Sequence, residues 1–190
     1  MEARIADHWK FARARGTLIE TFFSHSAADA GLVNVATSAI PTVKNNMLVN
    51  SDPLVTYPVK SWLSWSAQPE GLLVCRMGRR TGGPQCGSIT EFDSIEISEV
   101  SGHPGCCLIE NVKVYARDAD GGDSGGPIYY TTGGSSPYAV LLGTHVHSDP
   151  SYVPFGGHGW YSTWDQSFYQ LEKSFPPLNL VVCTTSACGF

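Results

Sequence analysis

The chain has 190 residues, 42% of them hydrophobic and only 15% charged, with a net charge of −5. That length holds one compact unit or two small packed barrels. With no basic stripe, nucleic acid is not an expected partner, and with no apolar run of about eighteen residues no membrane span is expected.

In chain order, the opening segment "MEARIADHWKFARARG" has neither the apolar stretch nor the small-residue cleavage site of a signal peptide. Short β-rich runs follow: "TLIETFF", "GLVNVAT", "NMLVN", "LVTYPV", "GLLVCRM", "SITEFD", "SIEISE", "LIENVKVYA", "PIYYTT", "YAVLLGTHV" and "HGWYST". Clusters of Gly, Pro, Ser and Asp separate them, a pattern that predicts an all-β sandwich or barrel. "SWLSWSAQPEG", Ser61 to Gly71, reads as the connection between two halves. One helix is predicted over "WDQSFYQLEKSF", capped by Ser162 or Thr163, with Asp165 near its start and Lys173 near its end. Pro176 and Pro177 stop it, and the tail "LNLVVCTTSACGF" follows.

Six cysteines stand at 75, 86, 106, 107, 183 and 188. Their even number suggests an oxidising, extracellular setting, and none lies in a C-x-x-C pair of the kind that binds zinc. A secreted chain without a signal segment is expected to be the mature or truncated part of a longer precursor. A cytosolic protein with free thiols is the alternative.

The densest chemical signal is "ARDADGGDSGGPIYY", Ala116 to Tyr130. A serine hydroxyl is a weak nucleophile that needs a neighbouring base and donors aimed at the oxyanion formed on attack. Backbone N–H groups can supply those donors where side chains are absent, and Gly122, Gly125 and Gly126 flank Ser124. A surface turn joining two strands is the plain alternative.

The run Gly-Asp-Ser-Gly-Gly-Pro, Gly122 to Pro127, resembles the nucleophile loop of the chymotrypsin-like serine proteases. "VCRMGRRTGGPQCGSIT", Val74 to Thr90, resembles the segment that opens the second barrel in the streptogrisin-like bacterial branch of that family. The resemblance runs from Gly16 to about Phe175. It implies an all-β fold of two antiparallel β-barrels with a C-terminal helix, the first barrel truncated at its N-terminus. The expected divisions are a partial first barrel over 1–65, a second barrel with its helix over 66–175, and a tail over 176–190. It implies a serine endopeptidase acting on protein or peptide substrates through a Ser-His-Asp triad. That enzyme would be secreted and monomeric, with no cofactor, no metal and no membrane.

By the same resemblance Ser124 is the nucleophile, and the N–H groups of Gly122 and Ser124 form the oxyanion hole. "SAADAGLVNV" fits the family's catalytic aspartate segment and nominates Asp29. The base is the departure. The family's small-small-His-Cys motif is absent; His8 lies upstream of Asp29, but in the context "IADHWKF". The base is therefore either His8 or a histidine preceding Met1, while His25 reads as a solvated loop residue. Asp118, His145 and Ser148 are the candidate pocket residues. Asp118 would favour a basic substrate side chain and His145 an acidic one, unless His145 is a hydrogen-bonded wall residue, so specificity stays open.

Asp123 is expected to pair with a processed N-terminal ammonium or an internal basic group. The resemblance also implies a Cys75–Cys86 disulfide. Cys106 and Cys107 have no assigned partners, Cys183 and Cys188 could close a small loop, and Asp120 stands near a place where relatives carry a cysteine. His145 and His147, two apart, would share a strand face, and a two-histidine metal site is an alternative use of that face, with no further ligands to place beside it. Two other readings compete. One is an inactive protease-fold binding module. The other is an α/β-hydrolase esterase using Ser124, Asp149 and His158.

Overall fold

The computed structural model describes residues 16–22, 30–35, 46–48, 55–96, 99–100, 103–104, 108–116, 121–151 and 157–174. In the N-terminal part, β1 (Gly16–Phe22) pairs antiparallel with β2 (Ala30–Val35), and β3 (Asn46–Leu48) with β4 (Thr56–Trp62). The rest of the sheet is built from β5 (Leu73–Met77), β6 (Pro84–Glu96), β9 (Leu108–Tyr115), β10 (Pro127–Thr131), β11 (Ala139–Asp149) and β12 (His158–Thr163). Two short strands, β7 (Glu99–Val100) and β8 (His103–Pro104), pair between β6 and β9. The helix α1 covers Trp164–Ser174.

The six long strands form a closed ring in the order β10-β5-β6-β9-β12-β11, and β11 returns to β10. Every pairing around the ring is antiparallel. Closure removes the unpaired N–H and C=O groups that an open sheet exposes at its edges. Each strand contributes one fully buried side chain to the centre: Val74, Ile89, Tyr115, Ile128, Leu142 and Tyr161. Burying a large apolar side chain stabilises by about 1.5–3 kcal/mol, so this ring of six is the main cohesive element of the barrel.

The all-β barrel with a C-terminal helix is therefore present. Two details differ from the sequence reading. "SITEFD" and the first half of "SIEISE", Ser94–Glu96, are not separate strands but belong to the single long strand β6, whose pairing with β9 shifts register between Ile89 and Glu91 and again between Asp93 and Ile95. Such bulges bend a strand without ending it, which lets one run curve around a barrel. Second, β4 runs parallel to β11, with Ala139 opposite Val59, so the connecting region is joined to the barrel wall by hydrogen bonds.

Cys75 and Cys86 are direct cross-strand partners on β5 and β6 and form a disulfide. Closing a loop this short stabilises by about 3 kcal/mol in the chain-entropy account.

The connection after β4 is held from three sides. A short 3-10 turn, Trp65–Ala67, has its first N–H bound by the Asp165 carboxylate of α1 at 3.0 and 3.1 Å. Asp165 thus grips a remote turn as well as standing in the first turn of its own helix. Buried Gln68 donates to the carbonyls of Leu63 at 2.8 Å and Leu142 at 3.1 Å, and accepts from the Tyr161 hydroxyl at 2.7 Å. Lys113, only 1% exposed, donates to the Gln68 carbonyl at 2.9 Å, with its ammonium 4.0 Å from the centre of the Trp65 ring.

Burial lowers the Lys113 pKa to about 8, against the opposing pull of Asp165 and Glu70. An unfolded chain keeps its proton to a higher pH than the folded one, so the folded state gains stability as pH rises from about 8 to about 10.5. Melting temperatures of the wild type and Lys113→Met, compared at roughly pH 7.5 and pH 10, check this. The wild type should gain on the variant at the higher pH; a pH-independent difference would contradict the assignment.

Candidate active site

The loop between β9 and β10 carries Ser124 at an exposed position, with Asp123 buried directly beside it. Gly122 and Gly125 take φ of 107° and 83°, backbone states that an L side chain rarely adopts. Gly126 has a different reason: a Cβ there would sit 2.5 Å from the Met77 carbonyl oxygen. The loop then enters the ladder of β11, with Gly125 N–H donating to the His145 carbonyl and His145 N–H to the Gly126 carbonyl, both at 2.9 Å. The Ser124 hydroxyl donates to the Val146 carbonyl at 3.0 Å. Both of these interactions place the serine against β11.

Asp123 points away from solvent. Its Oδ2 lies 3.1 Å from Nη2 of Arg76, and both side chains are 0% exposed. Its Oδ1 accepts the N–H groups of Arg80 at 2.8 Å and Thr81 at 3.2 Å. Gly78 makes room for this carboxylate, since a Cβ there would overlap it. Burial pushes the Asp123 pKa up, but the Arg80 and Thr81 donors and the Arg76 charge outweigh it and hold the carboxyl below the ordinary range. Of the two partners expected for Asp123, the internal basic group is the one found.

Arg76 was missed as a site residue. The signal was available: it follows Val74 at the same inward parity of β5, and a charged residue at an inward position needs a buried partner. Its other terminal nitrogen, Nη1, donates to the Tyr115 hydroxyl at 2.9 Å, and that oxygen lies 3.1 Å from Nδ1 of His145.

His145 and His147 do not share a face. His145 pairs with Tyr161 but His147 with Trp160, the adjacent residue, because the register shifts between the two histidines. Neighbouring residues of β12 face opposite sides, so the histidines do too: His145 is 2% exposed, whereas His147 is exposed and stacks near Trp160. Among the described residues, no group of three or more His, Cys, Asp or Glu side chains converges as a metal site. Burial lowers the His145 pKa to about 3, with the Arg76 charge adding to the effect, so the ring is neutral near pH 7. This environment is that of a hydrogen-bonded wall residue.

Ser148 lies on β11 opposite Gly159. Asp149 and His158 are cross-strand partners at the far end of β11 and β12, and Asp149 accepts from the Ser151 N–H and hydroxyl. The esterase reading required a strand-to-helix elbow in a parallel sheet. Ser124 is instead followed by strand β10 of an antiparallel barrel, which overturns that reading. His8, His25, Asp29, Asp118, Asp120 and the cysteines at 106, 107, 183 and 188 lie outside the described residues.

No protein-family model and no curated protein matches the sequence. Solved structures do match. Thermobifida fusca protease A aligns with a TM-score of 0.57 at 23% identity, over 82% of this chain and 71% of that one. The fold is that of the chymotrypsin-like serine proteases. Cellulomonas bogoriensis chymotrypsin aligns at 0.56 and 18% identity, over 84% and 72% of the two chains. A glutamic acid specific serine protease, described as using a histidine triad in substrate binding, aligns at 0.57 and 18%, over 84% and 71%. At these identities the likeness is one of chymotrypsin-like architecture.

Two outcomes follow from the buried charges. Asp123→Asn strands the Arg76 guanidinium without its counter-charge and should cost about 3–5 kcal/mol, read as a lower urea midpoint. The double variant Arg76→Met, Asp123→Asn should recover most of that loss. Separately, the folded pKa of His145 lies below its unfolded value, so its stabilising contribution is lost as pH falls from about 6.5 towards about 3. The advantage of the wild type over His145→Gln in thermal unfolding should therefore shrink between roughly pH 7 and pH 4.5.

Proposed function

We propose that the chain is a serine endopeptidase, or the greater part of one, that cleaves peptide bonds through an acyl-enzyme on Ser124. The observation that carries this reading is the construction of the nucleophile loop. Ser124 is exposed at its tip, Asp123 is drawn beneath it by buried Arg76, and the backbone takes positive φ on both sides. The fold supports it independently.

In the proposed reaction a histidine takes the Ser124 proton as the oxygen attacks the substrate carbonyl, and Asp29 orients that histidine and stabilises the imidazolium. His8 is this chain's candidate for the base. The N–H groups of Gly122 and Ser124 receive the developing oxyanion, and the proton then passes to the leaving amine. Water repeats the sequence to release the acid. The Ser124 hydroxyl must leave the Val146 carbonyl to meet its base, a rotation about one side-chain bond. Residues 1–65 and 66–175 are the two proposed barrels, with β4 bridging them by its pairing to β11. The Cys75–Cys86 bridge supports an extracellular setting.

His145, neutral and buried, supports a role in shaping the pocket wall rather than in supplying a positive charge for an acidic side chain. A binding module without turnover is the second reading. It is favoured by the fact that, among the described residues, the Ser124 hydroxyl bonds to a backbone carbonyl.

A fluorophosphonate probe, with the adduct located by peptide mass spectrometry, tests the proposal. The expected adduct is on Ser124, with label and peptidase activity both lost in Ser124→Ala. Activity that survives Ser124→Ala would refute the nucleophile. Undiminished labelling of His8→Ala would remove His8 as the base.

A further inference from the structure

We propose that Tyr115 is a positioning residue for the nucleophile loop, its hydroxyl locking the His145 ring to the guanidinium that anchors Asp123. This deepens the serine-peptidase reading and rests on it.

The direction of the Arg76 bond follows from its donor. A guanidinium only donates, so the Tyr115 oxygen accepts from Nη1 of Arg76 at 2.9 Å. The same oxygen stands 3.1 Å from Nδ1 of His145. With the phenolic proton directed at it, Nδ1 accepts and the ring carries its proton on Nε2. The backbone hydrogen bond between the ring and Trp160 fits that tautomer.

The contacts form a closed circuit. Arg76 spans two partners, Tyr115 through Nη1 and Asp123 through Nη2. Asp123 is covalently next to Ser124. Gly125 and Gly126 bond to the backbone of His145, and the His145 ring returns to Tyr115. A displacement of the β11 wall at His145 is thereby transmitted to both sides of Ser124. The circuit lies in a rigid setting. Tyr115 is fully buried and meets His145 and Tyr161 edge-on at 6.0 Å each. On β12, Gly159 is its cross-strand partner, and a Cβ at Gly159 would lie 2.7 Å from the hydroxyl oxygen. The charged and titratable groups facing the His145 ring include Arg76 from β5, Tyr115 from β9, Asp123 from the loop and His147 from β11 itself.

Tyr115→Phe removes the oxygen and keeps the ring. In protein labelled with ¹⁵N-histidine and ¹⁵N-glycine, wild-type His145 should hold one tautomer across mildly acidic pH. In Tyr115→Phe the ring should show tautomer exchange and titrate at higher pH, and the Gly125 and Gly126 amide signals should move. Fluorophosphonate labelling of Ser124 should slow by roughly 10-fold. Arg76→Lys keeps a positive charge but not the two-armed reach, and should produce the same change in the His145 ring. Wild-type ring and glycine signals in Tyr115→Phe would overturn the coupling, whatever the labelling rate. If the signals shift as expected but the wild type never labels at Ser124, the coupling stands and the peptidase reading is what fails.

Discussion

A guanidinium with no exposed surface is costly to bury, and the barrel accommodates one at Arg76 only because Asp123 meets it. Much of the site's geometry follows from that requirement. The carboxylate has to reach inward, so residue 123 turns away from solvent and its neighbour Ser124 is left facing outward. The space for the carboxylate has to exist, so residue 78 has no side chain. The second arm of the guanidinium needs an acceptor, and Tyr115 supplies it from across the barrel. A buried pair of this kind is weak evidence for net stability, because well-packed apolar residues can do as well. Its value here is directional: it leaves the loop one low-energy orientation.

A second polar assembly performs a comparable task at the segment after β4. Gln68, Lys113, Tyr161, Asp165 and the backbone of Trp65 tie the connecting segment to β9, β11, β12 and α1. Tyr161 belongs to both the apolar centre and this network. Its ring fills the core while its hydroxyl reaches Gln68, and burial raises its pKa well above the ordinary tyrosine value. Tyr115 from the first network and Tyr161 from the second belong to the same core of six side chains, so packing links the two.

Much of the fold was legible because strands leave a local record. The β-rich runs and the clusters of Gly, Pro, Ser and Asp between them placed the barrel strands closely. The loop at Ser124 was legible because glycine is required where the backbone turns to positive φ. What the sequence concealed were the non-local choices. Bulges leave little trace in composition, so β6 read as two strands, and His145 and His147 read as sharing a face when the register shift at Val146 separates them. Tyr115 looked like one more aromatic of a β-strand, since nothing near it in sequence announces partners on β5 and β11. Lys113, beside two valines in "NVKVY", carried a signal that went unread, a lone cation in an apolar run.

The parallel pairing of β4 with β11 has a consequence for how the molecule assembles. Val59 and Ala139 meet only after nearly the whole barrel sequence between them has been made and ordered. Contacts between residues far apart in sequence carry the loop-closure cost before they return any stabilisation, and they form late. The hairpin of β5 and β6, local and crosslinked, can form early. The loop bearing Ser124 depends on β10 and β11 closing the ring, so its geometry arrives with the last contacts. A nascent chain of this design would present Ser124 outward only once the barrel is shut. The orientation of that loop is then a property of the completed topology rather than of the local sequence.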